Sequence, residues 1–109
     1  MTTKNDYTKL LGLAQRAGRV RSGELQTEES VKSLKARLCL TAADASGAAK
    51  KHIRDICSYR DIKLIETGLT KEELGHCIGR EERTAVAVED EGFAKHILEI
   101  IEGGNACDK

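Results

Sequence analysis

Apolar residues at Leu10, Leu13, Ala14 and Ala17 follow the i, i+3, i+4, i+7 spacing of one helical face. Asp6 stands before them as a candidate cap, and Gly18 after them as a C′ stop. Residues 19–21 suit a very short strand. A second helix is predicted from Ser22 or Gly23 to about Lys35, with Thr27, Val31 and Leu34 inward. Residues 36–43 form a short apolar run without alternation, the pattern of a buried central strand. Ser46 then caps a third helix, with Ala49, Ile53, Ile56 and Cys57 on its core side and Lys50, Lys51 and Arg54 largely outside. Residues 62–65 read as a third strand. Thr70 and Glu73 have the spacing of a capping box that opens a short helix ending near Gly79. Residues 84–88 form a fourth strand, apolar on both faces. Asp90 caps a last helix with Phe93, Ala94, Ile97, Leu98 and Ile101 inward. Gly103-Gly104 is expected to stop it and to leave the tail 103–109 frayed.

Helices alternating with strands that are apolar on both faces predict an α/β fold, a three-layer α/β/α sandwich. Residues 1–109 are read as a single domain, since 109 residues supply one modest core. Hydrophobic residues at 39% and charged residues at 33% indicate a globular chain rather than a disordered one. No apolar run approaches the roughly 20 residues of a membrane span. The first six residues lack the apolar core of a secretory signal. The four cysteines show no C-x-x-C spacing, so free thiols in a cytoplasmic protein are expected; the chain is also expected to be a monomer.

Charge sharpens the picture. The formal net charge is zero, yet residues 1–54 hold 11 Lys+Arg against 5 Asp+Glu, and residues 55–109 hold 7 against 13. A +6 half is followed by a −6 half. Arg16, Arg19 and Arg21 sit among Gly18 and Gly23, next to the start of the second helix. Arginines supply forked donors, glycines let a backbone approach closely, and a helix N-terminus offers free N–H groups and partial positive charge. A phosphate-bearing partner fits, a folded RNA best.

Other chemistries find little support. Cys39 and Cys57 fall on core positions and read as inert packing residues. His76 and Cys77 are adjacent, and neighbours on a helix point about 100° apart, which is poor geometry for a nucleophile and its base. Paired zinc-ligand spacing is absent, so neither a metal nor another cofactor is expected. No serine triad, P-loop or dinucleotide fingerprint is present, which argues against an enzyme. The aromatics are only Tyr7, Tyr59 and Phe93, too few for a sheet that stacks bases.

Six short segments, in order, are similar to the L7Ae ribosomal protein family, the kink-turn RNA binders, and within it to the small bacterial YlxQ-like branch. They are residues 10–18 (LLGLAQRAG), 22–24 (SGE), 35–38 (KARL), 43–46 (ADAS), Leu74-Gly75 with Ile78-Gly79, and 90–94 (DEGFA). The resemblance implies a sandwich around a four-stranded mixed sheet. It also implies RNA contact by three pieces, which fall on residues 23–32, 44–46 and 79–84. A helix that precedes a strand begins near the end where that strand finishes, so Gly23 and Asp44 should be neighbours.

The same resemblance places the family's Asn-Glu pair and following Lys on Leu25, Gln26 and Glu29. Leu25 cannot hydrogen-bond a base, Glu29 repels phosphate, and Gln26 can both donate and accept. Lys32 is the candidate to supply part of the missing cationic role. The expected RNA-binding residues are therefore Arg16, Arg19, Arg21, Gly23, Glu24, Gln26, Lys32, Asp44, Ala45, Arg80 and Arg83. Glu24 has the alternative role of capping its own helix. The partner would be a structured RNA, ribosomal RNA or another folded RNA such as that of the RNase P particle, bound without catalysis in translation or a ribonucleoprotein. The competing reading is a protein–protein module that uses the acidic C-terminal half.

Overall fold

The computed structural model describes the backbone of residues 3–106 and the side chains of residues 7–102. Helix and strand alternate as α1 (Thr3–Arg16), β1 (Val20–Ser22), α2 (Glu24–Lys32), β2 (Leu38–Thr41), α3 (Gly47–Tyr59), β3 (Lys63–Glu66), α4 (Lys71–Cys77), β4 (Ala85–Val88) and α5 (Glu91–Ala106). The strands form one sheet in the order β1-β4-β2-β3. β2 and β3 run parallel, and β4 is antiparallel to both β1 and β2. This is the mixed four-stranded sheet of a three-layer sandwich.

The two central strands create the layers. Successive side chains on a strand point to opposite faces. Leu38, Leu40, Val86 and Val88 join one core with Tyr7, Leu11, Leu74 and Ile97. The alternate residues Cys39, Ala85 and Ala87 join a second core with Val31, Ile53 and Cys57. Large residues thus face α1, α4 and α5, and small ones let α2 and α3 sit close. Each fully buried Leu, Ile or Val contributes about 1.5–3 kcal/mol. The Cys39 thiol meets Cys57 in the second core; that contact and its burial push it up, so it stays protonated at neutral pH.

Three caps read from the sequence are present. Ser46 Oγ accepts from Ala49 N at 3.0 Å. Thr70 and Glu73 exchange the two bonds of a capping box, at 3.1 and 2.9 Å. Asp90 Oδ2 accepts from Phe93 N at 2.9 Å. Gly18, at φ 75°, ends the α1 turn with its N–H donating to the Gln15 carbonyl.

Four expectations are corrected. Asp6 lies inside α1 rather than before it. The buried stripe of that helix is Tyr7, Leu11 and Ala14, whereas Leu13 is 48% exposed and Ala17 is exposed. Two apolar stripes overlap in this leucine-rich segment, and packing against α5 selects the other one. α2 ends at Lys32, and Leu34 is 60% exposed at φ 64°. Leu34 occupies the left-handed position of the helix stop, with Lys35 N donating back to the Ser30 carbonyl. Finally, α5 continues through Gly103-Gly104 to Ala106, because glycine weakens a helix without ending it unless the backbone turns left-handed. The rest of the tail expected to fray, residues 107–109, lies outside the described residues.

Candidate nucleic-acid interface

β4 begins between the ends of β1 and β2, and this gathers three connections at one end of the sheet. Gly23 N donates to the Ala85 carbonyl at 2.8 Å, and Ala42 N to the Thr84 carbonyl at 2.9 Å. Arg83 Nε donates to Ser22 Oγ at 3.0 Å, tying the α4–β4 connection to the end of β1. Arg83 Nη1 also donates to the Glu82 carbonyl at 2.9 Å. On the other side, Asp44 Oδ1 accepts from Lys71 N at 2.7 Å, and Ala43 N donates to the Leu69 carbonyl at 2.7 Å. The β2–α3 connection is therefore clasped to the first turn of α4. Gly23 and Asp44 share this end of the sheet with the start of β4 between them.

α2 starts at this end with its N-terminal N–H groups uncapped. Gly23 is the N-cap at φ 98° and ψ 156°, a left-side backbone conformation that suits glycine, and no side chain bonds the first turn. Glu24, Leu25 and Gln26 are all exposed there, Leu25 by 64%. Glu24 does not cap its helix by a side-chain bond. Gln26 is oriented by Arg21, whose Nη2 donates to Gln26 Oε1 at 2.7 Å. The Gln26 amide nitrogen remains a donor aimed by that contact. Ala45 is buried and presents backbone only. Arg80 is exposed, and no ion pair engages it among the described residues.

Three of the sequence candidates lie elsewhere. Lys32 is at the far end of α2, about 13 Å along the axis from Gly23 at 1.5 Å per residue. It is paired with Glu28 at 2.6 Å, and Glu28 also meets His52 at 3.2 Å. Arg19 precedes β1, where its carbonyl accepts from Glu89 N at 2.7 Å, roughly 10 Å along the strand from Ser22 at 3.3 Å per residue. Arg16 ends α1 and faces Gly79 across a groove. The arginines that cluster in sequence are thus divided: only Arg21 reaches α2.

Two cations of α3 are neutralised locally, whereas no ion pair engages Lys50 among the described residues. Lys51 pairs with Asp55 at 3.0 Å, and Arg54 with Glu66 at 2.8 Å. Arg54 holds the Glu66 carboxyl below the usual range. That face is a solvated one. Ser22 and Lys71 were missed by sequence reasoning, and with Thr84, which ends the expected 79–84 piece, they knit the three connections together. Their partners depend on strand order, for which a single sequence carries no signal.

No helix among the described residues is long and apolar enough to cross a membrane. The profile of the ribosomal protein L7Ae/L30e/S12e/Gadd45 family matches residues 5–98. The RNA-binding protein YlxQ of Bacillus subtilis (strain 168) is 36% identical over 99 residues, covering 89% of this chain and 96% of that protein. The RNA-binding protein YlxQ of Enterococcus faecium is 37% identical over 94 residues, covering 86% and 89%. A protein of unknown function from Bacillus halodurans C superposes with a TM-score of 0.83 at 32% identity, covering 88% of this chain and 96% of its own. The Giardia lamblia 15.5kD RNA binding protein shares the fold at a TM-score of 0.76 and 16% identity, covering 95% and 88%. By this extent of match the chain belongs to the ribosomal protein L7Ae/L30e/S12e/Gadd45 family.

Proposed function

We propose that this chain is a non-catalytic RNA-binding protein that recognises a folded RNA with the loop end of its sheet. The observation that carries the reading is the set of three tied connections beside the uncapped start of α2. The names of its relatives, RNA-binding proteins over nearly their whole length, point the same way. Free N–H groups and the helix dipole favour phosphate. Gln26, held by Arg21, offers an amide to base edges, and Arg80 offers an unpaired charge. The bound species would be ribosomal RNA or another structured non-coding RNA, such as RNase P RNA, met in the cytoplasm by a monomer.

Kink-turn recognition is weakened by this chain's own residues. Leu25 and Glu29 stand exposed where the family resemblance expects a base-reading amide and a cation. Glu29→Lys should raise affinity for a kink-turn RNA, and Leu25→Asn should add to it. Exchanging repulsion for a charge-assisted contact is worth about 1–3 kcal/mol. Fluorescence anisotropy with a kink-turn, a matched plain duplex and a homopolymer tests both points. If about four phosphates are neutralised, log K falls with log salt at a slope of roughly −3 to −4. A flat salt response, or equal binding of the unstructured homopolymer, overturns the reading. If neither substitution favours the kink-turn over the duplex, α2 does not read the RNA.

A further inference from the structure

One face of α1 carries Lys9, Gly12, Leu13 and Arg16, the i, i+3, i+4, i+7 set opposite its buried stripe. This face meets the end of α4 and lines an open groove with Cys77, Ile78 and Gly79. Gly12 makes the approach close, since a Cβ there would lie 3.0 Å from the Cys77 carbonyl oxygen. The floor is apolar, with Leu13 half-exposed in it. Among the described residues no acidic side chain lines the groove. Lys9, Arg16 and Arg80 are among the cations that no ion pair engages among the described residues, so their charges are open to a ligand, and Lys9 and Arg16 line the groove itself. The groove runs out at Gly79, so the next residue, exposed Arg80, stands where it joins the α4–β4 connection.

We propose that this groove takes a second stretch of RNA backbone, the single strand that leads away from the nucleotides on the loop end of the sheet. The inference rests on the RNA reading above and extends it to a surface on another helix. Lys9 and Arg16 are two turns apart, about 10 Å at 1.5 Å per residue. That is long enough for the two cations to meet separate phosphates of one strand. Arg80 then links the groove to the loops. The apolar floor suits sugar faces and carries no base-reading donor, so this contact adds affinity without sequence preference. It also assigns Arg16 a task that its distance from α2 otherwise leaves unexplained.

The test compares two RNAs, a folded core alone and the same core with a six-nucleotide single-stranded extension at either end. They are titrated against the parent protein and against Lys9→Glu and Lys9→Glu/Leu13→Glu variants. Thermal melts confirm folding, and the single variant, altering only an exposed side chain, serves if the double one melts early. The parent protein is expected to bind one extended RNA several-fold more tightly than the core. Its salt slope should steepen by roughly 1–2, at about 0.7 per phosphate of single strand. Both variants should lose that gain and bind the core as the parent does. An extension without effect on the parent overturns the groove assignment while leaving the loop reading intact. So does equal loss on both RNAs, or tight binding of an acidic helical peptide in place of the extension. Failure of the parent to bind either RNA overturns the RNA reading itself.

Discussion

Replacing Gly75 by alanine probes the packing that shapes the α4–β4 connection. Gly75 is buried in α4, and its carbonyl accepts from Arg80 N at 2.9 Å. A Cβ at this position would stand 1.8 Å from the Glu81 carbonyl oxygen and 2.6 Å from its carbon. Backbone atoms do not tolerate less than 3.0 Å, so the connection must retreat by about 1.2 Å, the difference of 3.0 and 1.8. Overpacking of this kind costs about 1–3 kcal/mol. Alanine in place of glycine within a helix returns up to about 1 kcal/mol. With the full return the net expectation is a loss of about 0–2 kcal/mol, centred near 1, and a Tm lower by roughly 5 °C. Gly47→Ala is the control, because nothing lies within 4 Å of its added Cβ. It should melt with the parent or slightly above it. Circular dichroism melts and urea titrations read both variants. RNA affinity of the folded Gly75→Ala protein should also fall, since the displaced segment carries the Arg83–Ser22 tie. A Gly75→Ala protein as stable as the Gly47→Ala one would refute the close packing and the loop position built on it.

Leu34→Gly removes an L residue from a left-handed turn at φ 64° and an exposed leucine at once. It should stabilise the domain by about 0.5–1 kcal/mol in urea titration, while Leu34→Ala, with the same backbone strain, should not. Acid should weaken the fold through Glu28 and Glu66, whose carboxyls are held low by Lys32 and His52 and by Arg54. A depressed folded pKa stabilises above the unfolded glutamate value of about 4.3 and is lost as pH falls through the folded one. Melts across that range should show a shallower acid decline in the Glu28→Gln/Glu66→Gln protein, and an unchanged decline would exclude these pairs.

Local signals were legible in the sequence, and relations across the sheet were not. The Thr70–Glu73 capping box, the Ser46 cap and the strand cores are written in neighbouring residues. The three-layer fold followed from their alternation. The end of α2 was misread because Leu34 continues the apolar period, and only the observed turn shows that it points outward. The Leu10–Ala14 segment contains two usable stripes, and the choice between them lies with α5. At the site, Gly23, Gln26 and Asp44 were placed near their observed positions. The Arg16–Arg21 cluster was not, because a strand carries its ends apart and a helix end points elsewhere. Lys32 looked free although Glu28, one turn before it, has the spacing of an ion-pair partner. The Arg83–Ser22 bond joins residues 61 apart and needs the β1-β4 neighbourhood, which no local pattern encodes.

On the proposed reading, RNA is held at the end of the sheet where β4 begins. Amide chemical-shift mapping of the labelled protein, titrated with a folded RNA at moderate salt, tests it most directly. The largest changes should fall on residues 22–29, 42–46 and 79–85, with α3 and the outer face of α5 unmoved. Changes centred on α3 or α5, or none at RNA concentrations that saturate binding, would contradict it.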